Sequence, residues 1–152
     1  MANLVIKNPN DLIKILDARV SQALKITQDA IYKVIQELLS EYYHEHVFDG
    51  SSIPKKYQRL YKMLNSIVKT DILRAGNSYI CTVGVDDNYL KYTYPGGATG
   101  REVWEWANEN SHGGTVEGNL KVWNDAIDRL GGEQGVIDLM KQNLKKCGVP
   151  IV

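Results

Sequence analysis

The sequence predicts an α+β fold: a long N-terminal helix, a small antiparallel β-meander and C-terminal helices. Three observations carry this. Apolar residues recur at alternating three- and four-residue intervals from Leu12 to Tyr42. Short β-rich runs flank Ala75-Gly76-Asn77. Helical patterns punctuated by glycine close the chain, and no βαβ alternation appears. A chain of 152 residues is one domain by size, able to bury roughly two-thirds of the surface its unfolded form exposes.

Asn8-Pro9 is a helix start, with Asn as N-cap and Pro in the first helical position. Asp11 complements the helix dipole. Leu12, Leu16, Val20, Ala23, Ile31, Val34, Ile35, Leu38 and Tyr42 mark one face, and neither Gly nor Pro interrupts Asn10 to His46. Such a helix of about 35 residues is roughly 50 Å long. A small domain can hardly cover that rod, so part of it is expected to pack on another chain.

Phe48 to Pro54 reads as loop, with Asp49-Gly50-Ser51-Ser52 as turn chemistry. "KKYQRLYKMLNSI" fits a helical face through Tyr57, Leu60, Tyr61 and Leu64, or a strand face through Tyr57, Arg59, Tyr61 and Met63; a short helix is preferred. "VKTDILRAGNSYICTVGVD" reads as a hairpin, and "YLKYTYP" as a third strand. "REVWEWANEN" reads as a short helix ended at "SHGG". Asn119 caps a helix through Leu130, Gly131-Gly132 breaks it, and Glu133 to Lys146 forms the last helix, closed by Gly148 and Pro150.

Composition excludes several function classes. Lys+Arg and Asp+Glu are 18 each, so overall charge gives no push toward nucleic acid or anionic membranes. Cys81 and Cys147, the only cysteines, read as free thiols in a reducing compartment, because two cysteines build neither a metal framework nor a disulfide scaffold. "MANLVIKNPNDL" has no signal-peptide pattern, and every apolar run falls well short of the ~18 residues of a membrane span. Synthesis in the cytoplasm and no membrane contact are the expectation. Nine Tyr and three Trp against one Phe tilt the chain toward partly wet, partly apolar interfaces.

The candidate chemical sites are weak. His44 and His46 with Asp49 resemble ligands, yet residues two apart on a helix diverge, and zinc needs three or four convergent groups. His112 lies in "NSHGG", where Gly113 and Gly114 serve a turn, and Ser111 lacks a nucleophile elbow. Glu102, Glu105 and Glu109 beside tryptophans suggest sugar subsites, but at helical spacing they line one exposed face. "GGATG" lacks phosphate-loop spacing. No cofactor, metal or catalytic set is expected. "KKYQRLYK" interleaves Lys55, Lys56, Arg59 and Lys62 with Tyr57 and Tyr61; it suits either nucleic-acid contact or a solvated basic face.

The ordered set Tyr42-Tyr43, Pro54, Tyr57, Arg59, Tyr61, Leu64, Ser66, Ile67, then Val103, Trp104, Trp106, Ala107, His112-Gly113-Gly114 and "LKVWNDAIDRL" resembles small neck or tail-completion proteins of long-tailed bacteriophages, the head–tail joining or minor capsid type. The resemblance runs from about Leu24 to Gly148; Leu60 departs from it, standing where many relatives have Thr. It implies a structural virion protein and not an enzyme: a homo-oligomeric ring, six- or twelve-fold, in the virion neck or tail. Its partners would be neighbouring neck, portal-side or tail proteins, with DNA passing through the lumen. Tyr57, Arg59 and Tyr61 are expected to anchor the segment leaving the long helix against the sheet, with Arg59 pairing an acid or carbonyls. Trp104 and Trp106 would be one core and one surface residue, and His112 part of the fold or interface. The alternative is a nucleic-acid-binding or regulatory module of a mobile element, using the basic tyrosine face.

Overall fold

The computed structural model describes residues 8–47, 64–90, 99–109 and 121–151, with the side chains of 42–47, 103 and 106–109 outside the description. Helix α1 (Pro9–Val47) opens the fold. Four three-residue strands follow: β1 (Ile67–Lys69), β2 (Leu73–Ala75), β3 (Ser78–Ile80) and β4 (Val83–Val85). Helices α2 (Gly100–Glu109), α3 (Val122–Arg129) and α4 (Gly132–Lys146) complete it. The α+β arrangement expected from the sequence is the one observed.

The N-terminus of α1 forms as the sequence dictates. Asn8 Oδ1 accepts from the Asp11 amide at 3.0 Å, satisfying one of the orphan donors of the first turn. With 39 residues the helix is about 58 Å long. It is covered unevenly. Ala23, Leu24, Ile35 and Leu39 are buried, whereas Leu12 and Ile13 in the first turns remain exposed. The rod is therefore covered over its middle by its own chain, while among the described residues Leu12 and Ile13 near its start stay exposed.

The expected hairpin is present but divided into two antiparallel ladders. β1 pairs with β4 in the register Ile67↔Val85, Val68↔Gly84, Lys69↔Val83. β2 pairs with β3 as Leu73↔Ile80, Arg74↔Tyr79, Ala75↔Ser78, across the Gly76-Asn77 turn. The division falls at Thr70 and Thr82. The Thr82 carbonyl accepts from the Thr70 amide at 2.9 Å, while the Thr82 amide turns to the Thr70 hydroxyl at 2.8 Å instead of a backbone carbonyl. A side-chain acceptor thus replaces a rung of the ladder. The third strand foreseen in "YLKYTYP" does not begin where expected: Tyr89 and Leu90 lie in a turn, with their amides bonded to the Asp86 carbonyl, and the remainder lies outside the described residues.

This ribbon lies along α1, held at four levels. Asp17 takes Arg74 and the Tyr79 hydroxyl of the outer hairpin. Gln28 donates to the Thr70 and Thr82 carbonyls at 3.0 and 2.9 Å. Asp29 pairs with Lys69, whose ammonium also sits 4.8 Å from the centre of the Tyr32 ring. Gln36 donates to the Leu64 carbonyl at 2.9 Å.

Helix α4 runs back along α1. Asn143 Nδ2 donates to Thr27 Oγ1 at 3.0 Å and Arg19 to the Gly148 carbonyl at 2.8 Å, while the break before α4 is made by Gly131 and Gly132 at φ +90° and +76°. The core lies where α1, β1, α2 and α3 meet, around Ile35, Leu39, Ile67, Leu90, Trp104, Val122 and Ala126. Helix α2 begins with a capping box absent from the sequence reading. The Thr99 amide and hydroxyl reach Glu102 Oε2 at 2.7 and 2.8 Å, and the Glu102 amide returns to Thr99 Oγ1 at 3.2 Å. Helix α3 starts at Val122 with Lys121 at its N-cap and no side-chain cap bond, so the cap is not the expected Asn119, which lies outside the described residues.

Candidate functional site: an apolar groove between the ribbon and three helices

Three helical faces converge without closing. Helix α1 presents Leu24, Gln28, Ile31 and Ile35; α3 presents Trp123, Ile127 and Leu130; α4 presents Val136, Ile137 and Met140. Cys81 and Val83 of the ribbon supply the fourth side. The α1 and α3 residues recur at intervals of three, four and seven and those of α4 at one, three and four, the geometry of one stripe on each helix. The space they leave is about 700 Å³, within the range of sites that hold a small molecule or an inserted side chain. Its walls are apolar, and Ile127 and Ile137 remain exposed at its edge.

The polar groups here are few and mostly engaged. Thr27 Oγ1 donates to the Ala23 carbonyl at 2.9 Å and accepts from Asn143. Gln28 is 5% exposed, and both hydrogens of its amide nitrogen go to the Thr70 and Thr82 carbonyls. Because both partners are acceptors, the amide orientation is fixed by chemistry. Gln28 Oε1 is then left without a donor among the described residues. Glu133 and Lys141 stand at the rim, two helical turns apart on α4. Burial pushes the Cys81 thiol above the ordinary thiol range, so it favours the neutral form over a reactive thiolate. Trp123 links groove to core, its ring stacked on that of Trp104 at 5.8 Å and 29°.

Of the residues singled out by sequence, Trp104 is 5% exposed in the chain's own core, where its indole nitrogen donates to Ser66 Oγ at 3.2 Å. Trp106 is in α2 with its side chain outside the description, and Tyr57, Arg59, Tyr61 and His112 lie outside the described residues. His44 and His46 fall in the last turns of α1, and Asp49 beyond them is not described. Glu102 is the α2 cap, its carboxyl held below the usual carboxylate range by the bonds from the Thr99 amide and hydroxyl. Glu105 pairs with Arg101 at 3.0 Å on the exposed face. Among the described residues no group of three His, Cys, Asp or Glu could hold a metal ion. Among them, too, no helix is long and apolar enough to cross a membrane. The groove itself was missed by the sequence reading, although the stripe Val136, Ile137, Met140 signals an apolar face on α4.

Ribbon, helices and an apolar groove define a small α+β unit with a concave apolar surface among the described residues. The chain belongs to the YomN family, whose sequence profile matches residues 8–146. That membership makes it a phage-associated protein. No curated protein and no solved structure matches it.

Proposed function

We propose that this protein is a structural virion component of a long-tailed phage, a ring-forming subunit of the neck or tail end. In this reading it joins head to tail or completes the tail, and acts by docking, with no reaction of its own. The supporting observation is the open apolar groove of about 700 Å³ on a chain of phage-associated kind. Monomers rarely leave large contiguous apolar surface without a use in binding. A closed ring needs two different contact faces on each subunit, and exposed Leu73 and Ile80 on the outer hairpin, with Leu12 and Ile13 on α1, offer apolar surface away from the groove.

Electron microscopy of a lysate from the parent phage with this gene deleted tests the proposal. Separate filled heads and finished tails place the protein at the joint, and abnormally long tails make it a terminator. Intact joined particles overturn the reading.

A further inference from the structure

We infer that the groove is the seat of a second copy of this chain, which inserts its Asp86–Tyr89 turn. The inference rests on the ring reading above and names the contact that would build the ring.

Two unmatched groups of complementary chemistry carry it. The first is Gln28 Oε1, an acceptor on a side chain 5% exposed that lines an apolar groove and has no donor among the described residues. A buried acceptor without a donor costs free energy until an occupant brings one. The occupant that fits is apolar in body with one donor at its tip. The second is Tyr89, 47% exposed, the one aromatic side chain exposed among the described residues. Its hydroxyl has no partner among them. A phenol inserted between Ile31, Ile127 and Ile137 buries its ring and brings the hydroxyl that Gln28 needs.

Charge agrees with this placement. Tyr89 is displayed on a tight turn in which Asp86 Oδ1 accepts from the Asn88 and Tyr89 amides at 2.9 and 3.3 Å. The adjoining Asp87 is exposed and forms no hydrogen bond or ion pair among the described residues. At the rim of the groove Lys141 is likewise exposed and unpaired among them, with Lys145 and Lys146 further along α4. Glu133 occupies the other end of the same rim, so an acidic turn set against Lys141 fixes the partner's orientation. Tyr89 does not line the chain's own groove. The two patches are therefore different, the contact is heterologous, and repetition yields a ring or an open helix.

Sedimentation velocity of the full chain over a concentration series tests the contact. The wild type is expected to self-associate. Tyr89→Ala and Ile137→Glu should each weaken association at least tenfold, as removal of a buried aromatic anchor does. Tyr89→Phe, which removes the hydroxyl alone, should weaken it by about 3- to 10-fold. Asp87→Lys and Lys141→Asp should each weaken it, and the double exchange should restore it. Both Tyr89 and Ile137 are exposed, and circular dichroism verifies that the variants fold. A wild type that stays monomeric at high concentration overturns the inference, as do single variants that associate like wild type or a double exchange that fails to rescue. Particles that still need this gene to join would then keep the ring reading and assign the groove to another virion protein.

Discussion

Trp104 Nε1 donates to Ser66 Oγ at 3.2 Å inside the core, tying α2 to the residue that precedes β1. The same indole stacks on Trp123, which lines the groove. One side chain thus joins ribbon, α2 and α3. Trp104→Ala should cost about 3–5 kcal/mol, the range for emptying a buried aromatic site. Trp104→Phe keeps most of the apolar volume and loses the donor, so about 1–2 kcal/mol is expected. Urea denaturation read by circular dichroism separates the two. A Trp104→Phe variant as stable as wild type would mean that the hydrogen bond contributes nothing.

Gln28 holds the two β-ladders to the helix at the point where regular pairing fails. Its amide donates to both threonine carbonyls at 2.9–3.0 Å from a nearly sealed position. Gln28→Leu keeps the volume and strips both donors, leaving the Thr70 carbonyl without this bond and the Thr82 carbonyl with its bonds from Thr70 alone. A loss of about 2–3 kcal/mol follows, at roughly 1 kcal/mol for each bond with an added desolvation penalty. Gln28→Glu should be worse above the carboxylate pKa, because an ionised group there would face two carbonyl oxygens. Hydrogen exchange should speed up at the Thr70 and Thr82 amides in both variants. Unchanged protection there would refute the clamp.

What the sequence made legible follows from periodicity. Helix α1, its Asn8 cap, the turn after Ala75 and the stop at Gly131 each depend on neighbours within a few positions, and each was read. The ladder break was not, because it rests on the Thr70 hydroxyl taking the Thr82 amide across the ribbon and on Gln28 bonding both carbonyls there, and Gln28 is distant in sequence and indistinguishable from any polar helix residue. The start of the third strand was misplaced: Tyr89 to Tyr94 alternates as a strand does, yet Asp86 captures the Asn88 and Tyr89 amides and makes a turn of Tyr89 and Leu90, the two of these residues that are described. Thr99 and Glu102 had the capping-box spacing in plain view. The groove could not be read at all, since it exists only where stripes on α1, α3 and α4 meet.

Glu41 and Arg129 form a forked pair, with bonds of 2.9 and 2.6 Å joining α1 to the end of α3. The hydrogen bond from Arg129 lowers the Glu41 pKa below its ordinary value. A carboxyl whose pKa falls on folding stabilises the fold above its unfolded pKa of about 4.3, and that contribution disappears as pH falls through the lower, folded value. Wild type should therefore be more stable than Glu41→Gln at neutral pH, with the difference shrinking to nothing in acid. Thermal melts from pH 7 to 2 should show the two curves converge, and added salt should narrow the gap at neutral pH because the pair is exposed. A difference that is constant with pH would assign it to packing.

Gly135 lies in the first turn of α4, where alanine would ordinarily help: a helical Gly→Ala change gains about 0.5–1 kcal/mol. Here a Cβ would stand 2.0 Å from the Leu130 carbonyl oxygen and 2.8 Å from its carbon. Those are backbone atoms of the turn between α3 and α4, at the end of the groove, and cannot swing aside. Gly135→Ala should instead cost about 1–3 kcal/mol, as overpacking does, lowering Tm by about 2–4 °C for each kcal/mol in a chain of this size. Gly84 in β4 supplies the contrast, because a Cβ there meets only the Thr82 methyl group at 3.9 Å. Gly84→Ala should leave Tm unchanged or raise it slightly, through the lower entropy of the unfolded chain. Should Gly135→Ala melt at or above wild type, α4 must be able to move away from α3, and the wall it gives the groove would be adjustable.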